Sequence, residues 1–289
     1  MNISSQIKTA LINKRHIIII LSLALSLLFS IFLLTKKLYS NQDAAKDPFK
    51  IDYIYGWKEN NKTFYGALLF RLEPSWKTYW KHPGDSGIAP EFDWSNSQNI
   101  SDIKFVWPNP KIMYTDNSML IGYEKKLLLP IIITPSKQDL PIILNLKIYF
   151  GVCSDICIPA HTQISAPIWD HATPKSIRLI ENALLLSPKI VKNNQLISNQ
   201  CEVSKNSNST ALTYTLVFRN KLPTNTVAVA EYISKEIFIT NQKSSLEKNK
   251  IEINIELSDF IDNHFIIERA RLKANIIKPS SGIIVLGCS

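Results

Sequence analysis

The sequence predicts an all-β body of two successive sandwiches, set behind an apolar N-terminal segment and joined by one short helix. Three observations predict it. Apolar runs in the body are short and are broken by proline, asparagine and glycine. Some alternate strictly, as in Ile251-Glu252-Ile253-Asn254-Ile255-Glu256-Leu257, which lays one face on a core and the other toward water. Helical spacing is scarce and gathers in one stretch near the middle of the chain.

The N-terminal segment comes first. Ile17 to Leu34 is apolar and uncharged, and is preceded by Lys8, Lys14, Arg15 and His16. About 18 residues at a rise of roughly 1.5 Å span about 27 Å, enough for a bilayer core. The flank Thr35-Lys36-Lys37-Leu38-Tyr39-Ser40 supplies no clean small-x-small cleavage site. Residues 1–16 are therefore expected in the cytoplasm and 17–34 as a retained single-pass anchor in the inner membrane, with the body in the periplasm; the alternative is secretion after cleavage.

Residues 48–168 are expected to form the first sandwich. Phe64 to Leu72 is rich in strand formers, and Leu127 to Thr134 is apolar enough for a buried strand. Pro130 is expected near a strand start or a bulge. Leu144, Leu146, Ile148 and Phe150 alternate on one face and lead directly to Cys153. At Thr173-Pro174 a hydroxyl cap and a pre-set φ predict a helix start. Ile177, Ile180, Ala183 and Leu184 keep helical spacing, and the helix is expected to end near Ser187-Pro188. Residues 169–198 thus read as a helical linker. The second sandwich, 199–289, is predicted from strands at Leu212 to Phe218, Val227 to Tyr232, Glu236 to Thr240 and Ile251 to Leu257.

The chain of 289 residues carries a formal charge of +9. Its lysines are spread through the sequence and form no basic stripe with interleaved aromatics, so no nucleic-acid partner is expected. A composition leaning to lysine, asparagine and isoleucine accounts for the charge as a solvated surface.

Chemistry concentrates in Tyr149-Phe150-Gly151-Val152-Cys153-Ser154-Asp155-Ile156-Cys157-Ile158-Pro159. Three intervening residues permit a disulfide if a turn brings the Cα atoms to about 4.4–6.8 Å. Spacing leaves three readings open: a redox-active pair, a structural staple, or metal ligands with His161, since thiolate and imidazole suit zinc or cuprous copper. Asp155 lies between the cysteines and no basic residue adjoins them, so the pair is expected to be poorly self-activated and to react when a partner's thiolate attacks it. The remaining cysteines, Cys201 and Cys288, are candidates for a structural disulfide. Closing about 88 residues would stabilise by roughly 4–5 kcal/mol on the chain-entropy argument.

A second cluster bears on the choice. Trp76-Lys77-Thr78-Tyr79-Trp80-Lys81-His82-Pro83-Gly84-Asp85-Ser86-Gly87-Ile88-Ala89-Pro90, followed by Trp107-Pro108-Asn109-Pro110 and Gly122-Tyr123, resembles the N-terminal periplasmic region of the DsbD and ScsB thiol:disulfide interchange proteins. The resemblance covers roughly residues 50–168, and the tryptophan-rich stretch with the cysteine pair is similar to the alphaproteobacterial, ScsB-like branch. It implies an immunoglobulin-like sandwich. It also implies that Cys153 and Cys157 are the exchanging pair of a protein-disulfide reductase component, taking electrons from a membrane-embedded DsbD/CcdA-like donor and passing them to periplasmic thioredoxin-like proteins. That chemistry calls for no cofactor and no metal.

The chain also departs from the family. Nothing after Ile168 is apolar enough to span a bilayer, so a separate transporter is required. The cysteine spacing is shorter than in the best-known DsbD domain. In the region of the family's aromatic cap stands Asn117-Ser118-Met119-Leu120, which nominates Met119 or Tyr123 for shielding the pair. Trp76 and Trp80 are expected in the core, and Asp85 is the residue of that stretch expected to touch a partner. The apolar, proline-constrained side of the pair points to Cys157 as the sulfur that reaches an acceptor. Two other functions compete, a noncatalytic adaptor stapled by disulfides and a copper-binding envelope protein using Cys153, Cys157 and His161.

Overall fold

A computed structural model describes residues 23–32 and 47–289, apart from 61, 116, 117, 192, 206–209, 235 and 260–264. The chain divides between Asp47 and Pro48. Before that point residues 23–32 are an exposed helix, α1. Among the described residues no helix is long and apolar enough to cross a membrane. The rest of the expected anchor, 17–22 and 33–34, lies outside the described residues.

The body is all-β, as the alternation predicts. Its first strands are β1 (Phe49–Glu59), β2 (Thr63–Leu72), β3 (Lys77–Gly84), β4 (Glu91–Asp93), β5 (Ile100–Phe105), β6 (Lys111–Thr115), β7 (Ser118–Glu124), β8 (Lys126–Pro135), β9 (Ile142–Cys153) and β10 (Cys157–Ile168). One sheet has the order β1-β2-β8-β5; the other runs β10-β9-β3-β7-β6, with β4 paired to β9. Phe70, Leu129 and Ile131 from the first meet Trp80, Ile148 and Phe150 from the second in one buried core. Trp80 is buried and Trp76 packs partly buried against the same core.

Pro130 departs from expectation, standing inside β8 opposite Ala67. The backbone explains it. In an antiparallel strand a residue's nitrogen and carbonyl face the same neighbour, and the Pro130 carbonyl accepts from Val106 N at 2.9 Å. Its nitrogen therefore faces the side on which β5 has already ended at Phe105, and no bond to β2 is lost.

The helix α2 (Pro174–Leu185) forms where Thr173 caps it: Thr173 Oγ1 accepts from Ser176 N, and Ser176 Oγ accepts from Thr173 N at 2.9 Å. Ile180 and Ala183 are buried as the helix lies on β1 and β8. Gly56 permits that approach, since a side chain there would meet Ile180 and the backbone of Tyr65.

The following strands are β11 (Lys189–Ile190), β12 (Leu196–Lys205), β13 (Thr210–Phe218), β14 (Val227–Tyr232), β15 (Ile237–Glu247), β16 (Lys250–Asp259), β17 (Leu272–Ile277) and β18 (Gly282–Leu286). They form two four-stranded sheets, β11-β18-β17-β14 and β12-β13-β16-β15, around a second core of Leu212, Tyr214, Ile253, Ala230 and Ile276. The predicted strand at 236–240 runs on to Glu247 as a sheet edge. Val229 and Ile277 of this half are buried in the first core, so the two sandwiches share apolar packing.

Candidate functional site

Strand alternation decides which side chains meet the cysteines. On β9, Leu144 to Val152 at even positions are buried in the core, so Tyr149, Gly151 and Cys153 face the outside of their sheet. Strand β10 pairs with β9 in register, Cys157 opposite Cys153, with Ser154-Asp155-Ile156 as the turn. Cys153 and Cys157 are disulfide-bonded, Cα to Cα 4.1 Å. The two sulfurs differ in access, because Cys153 is 2 % exposed whereas Cys157 lies at the surface.

Strand β3 supplies the cover. Thr78 is buried and its Oγ1 donates to the Gly151 carbonyl at 2.9 Å, tying β3 to β9. The next residue, Tyr79, therefore faces outward over the disulfide, with its hydroxyl 2.6 Å from Cys153 Sγ and 3.3 Å from Cys157 Sγ. Burial raises the Tyr79 phenol above its ordinary value, which keeps it a neutral donor. Two glycines make the slot for its ring. A methyl on Gly87, which has φ +146°, would lie 2.5 Å from Tyr79 Cε1, and one on Gly151 would lie 3.0 Å from Tyr79 Cδ2 and from Ile88 Cβ.

Tyr79, Leu120 and Cys153 form a small buried cluster of their own, with Met113 packed against it. Met119 and Tyr123 are placed elsewhere. Tyr123 stands opposite Thr78, belongs to the main core and donates its hydroxyl to the Pro108 carbonyl at 2.7 Å; Met119 packs against that core too. A one-residue offset on a strand turns a side chain to the other face, so on β7 it is Leu120, not its neighbour Met119, that packs with Tyr79 and Cys153. Tyr79 is the residue that sequence reasoning missed. The signal is in the sequence, since strand alternation with Trp76 and Trp80 in the core leaves the aromatic at 79 pointing out.

Asp85 is exposed and braces the β3–β7 corner, its N–H donating to the Met119 carbonyl at 2.9 Å and its Oδ2 accepting from Met119 N at 2.7 Å. Exposed apolar side chains adjoin the pair, Ile156 and Ile158 on either side of Cys157 in sequence and Ile88 against Gly151, while Tyr149 is exposed further along β9. His161 stacks on Tyr149. It is four residues beyond Cys157 on one strand, about 13 Å at the strand rise, too far to share a coordination sphere with it. Among the described residues no group of three or more His, Cys, Asp and Glu is gathered as metal ligands would be.

The other bond, Cys201–Cys288, has Cα atoms 5.7 Å apart. Cys201 is buried in the second core, and the tail beyond β18 is laced in beside it: Cys201 N donates to the Ser289 carbonyl, Ser289 N to the Asn199 carbonyl, and Tyr214 Oη to the Gly287 carbonyl at 2.6 Å. No hydroxyl is placed on its sulfurs, among the described contacts.

Residues 48–168 match the family described as thiol:disulfide interchange protein DsbD, N-terminal. The crystal structure of the N-terminal periplasmic domain of ScsB from Proteus mirabilis is similar in fold, with a TM-score of 0.61 at 18 % identity over 84 % of this chain and 95 % of that one. That share exceeds residues 48–168, so the likeness takes in the second sandwich. None of the curated proteins compared matches the chain. The segment 48–168, in which Tyr79 lies over the Cys153–Cys157 disulfide, is thus the part of the chain that matches the DsbD N-terminal domain.

Proposed function

We propose that the protein is a periplasmic thiol–disulfide exchange module that takes electrons from a membrane-embedded DsbD/CcdA-like donor and hands them to thioredoxin-like proteins. The observation that carries this is the asymmetry of the disulfide: one sulfur at the surface, the other buried beneath a tyrosine hydroxyl. Staples need no such donor.

The attack begins at the accessible sulfur. A donor thiolate bonds to Cys157 Sγ, the Cys153–Cys157 bond breaks, and Cys153 leaves as a thiolate that receives the Tyr79 O–H. The donor's second thiol then resolves the mixed disulfide, and the module holds two electrons and two protons as a dithiol. In the second half Cys157 attacks an acceptor disulfide and Cys153 displaces the acceptor, restoring the bond. Stabilising the Cys153 thiolate eases the first half by improving its leaving group. The exposed Ile88, Ile156 and Ile158 offer apolar surface beside the pair for the partner in either half.

The retained anchor and the division after residue 168 belong to the same proposal, with the anchor keeping the module at the membrane that holds its donor; the second sandwich starts earlier than the expected 199, since β11 and β12 already belong to its sheets. Partner capture tests the function. Cys153→Ser leaves Cys157 able to form a mixed disulfide that nothing inside the module resolves, so thioredoxin-like proteins are expected on it in an envelope fraction; their absence contradicts the proposal.

A further inference from the structure

Strand β3 carries Tyr79, and just beyond it the ladder with its own sandwich is interrupted, although Trp80 is buried in the first core and β3 rejoins β7 at Gly84. Its pairing with β9 stops at Thr78, and its pairing with β7 goes from Tyr79 opposite Gly122 to Gly84 opposite Leu120. Five steps along β3 thus match two along β7, and Trp80 to Pro83 form a bulge without ladder partners among the described residues. The second sandwich fills that gap. Glu231 on β14 receives Lys81 Nζ and, at 3.1 Å, His82 Nε2 from the bulge; from its own sandwich it receives Lys273 Nζ at 3.0 Å and Asn275 Nδ2 at 2.6 Å. The carboxylate side chain is only 18 % exposed. Lys81 in addition lies over the Trp80 ring, 5.1 Å from its centre.

We propose that Glu231 is a positioning residue for the exchange site: the second sandwich grips the unpaired bulge of β3 through Lys81 and His82 and so fixes Tyr79, one residue before the bulge, on the sulfur of Cys153. This gives the second sandwich a task in the reaction although none of its residues touches the disulfide among the described contacts. It rests on the role given to Tyr79 above. The physical basis is that a bulged strand free to shift would carry its end residues with it, and a hydrogen bond at 2.6 Å weakens steeply when its donor swings away.

The test is a double-mutant cycle on the full-length chain. Reduction of the disulfide by dithiothreitol, which becomes its own cyclic disulfide as Cys153 and Cys157 become thiols, is timed by alkylation and peptide mass for wild type, Tyr79→Phe, Glu231→Gln and the double variant. Tyr79→Phe is expected to slow reduction about tenfold, the worth of one hydrogen bond to a charged group. Glu231→Gln is expected to slow it about threefold, and to add nothing in the Tyr79→Phe background. If Glu231→Gln reacts at the wild-type rate while Tyr79→Phe is slow, or slows both backgrounds equally, the inference is overturned and the Tyr79 role stands. A wild-type rate for Tyr79→Phe overturns both. Should Glu231→Gln fail to fold, Glu231→Asp, which keeps the charge but draws it back by one methylene, is read by the same criteria.

Discussion

The hydroxyl of Tyr79 sits 2.6 Å from the buried sulfur of Cys153, on the side of the disulfide that a solvent-borne thiolate cannot reach. In the proposed exchange that placement separates the two sulfurs by task, Cys157 for attack and Cys153 for departure. The order of events in exchange then follows from access.

The first prediction concerns trapping. Cys153→Ser leaves the surface thiol and is expected to accumulate mixed disulfides, whereas Cys157→Ser leaves a buried one and is expected to accumulate at least about tenfold less, as exchange rates follow access. Non-reducing electrophoresis of envelope fractions compares the two. Equal trapping would contradict the assigned order.

A second prediction tests the slot around the tyrosine. Gly87→Ala must accommodate a methyl 2.5 Å from the Tyr79 ring at a backbone φ of +146°, so the ring is expected to move off the sulfurs. The expected outcome is slower reduction by dithiothreitol, comparable with Tyr79→Phe, together with a loss of roughly 1–3 kcal/mol in denaturant unfolding. A stable variant with the wild-type rate would show that ring placement is immaterial.

The second disulfide should separate stability from chemistry. Cys201→Ala with Cys288→Ala is expected to cost about 2–5 kcal/mol in unfolding while leaving the reduction rate of Cys153–Cys157 unchanged. Urea unfolding and the alkylation assay on one preparation read both quantities.

Glu231 makes stability depend on pH. Burial alone would raise its carboxyl, but hydrogen bonds from His82 and Lys81 and the charges of Lys81 and Lys273 outweigh it and hold the group well below the usual 4.5. A carboxyl lowered in the folded state lends stability that is complete above its unfolded value and is lost as pH falls below it. The wild-type Tm is therefore expected to drop faster than that of Glu231→Gln between about pH 5 and pH 3. Parallel curves would show that the carboxylate contributes no such linkage.

Much of this was legible in the sequence. Ile251 to Leu257 alternates because β16 has one face on the second core, and Thr173-Pro174 reads as a helix start because cap and proline act locally. The strand end at Cys153 was legible from Leu144 to Phe150 for the same reason. What stayed hidden depended on neighbours. Pro130 is tolerated only because β5 stops beside it, which no local rule contains. The extension of β15 through Asn241 to Ser245 is polar because an edge strand faces water along much of its length, so it carries no apolar period. Met119 was one residue from Leu120, and on a strand one residue is the other face. Glu231 lies about 150 residues from Lys81, and only the packing of two sandwiches brings them together.

The central claim is that Cys153–Cys157 is a working bond, and its redox midpoint tests that most directly. The full-length chain is equilibrated in glutathione buffers of graded ratio, and the pair is read by alkylation and peptide mass, with Cys201–Cys288 as the internal reference. The account predicts a Cys153–Cys157 midpoint within the glutathione range, above about −300 mV, while Cys201–Cys288 stays closed. A Cys153–Cys157 bond that also stays closed throughout would contradict it and leave two sandwiches held by two staples.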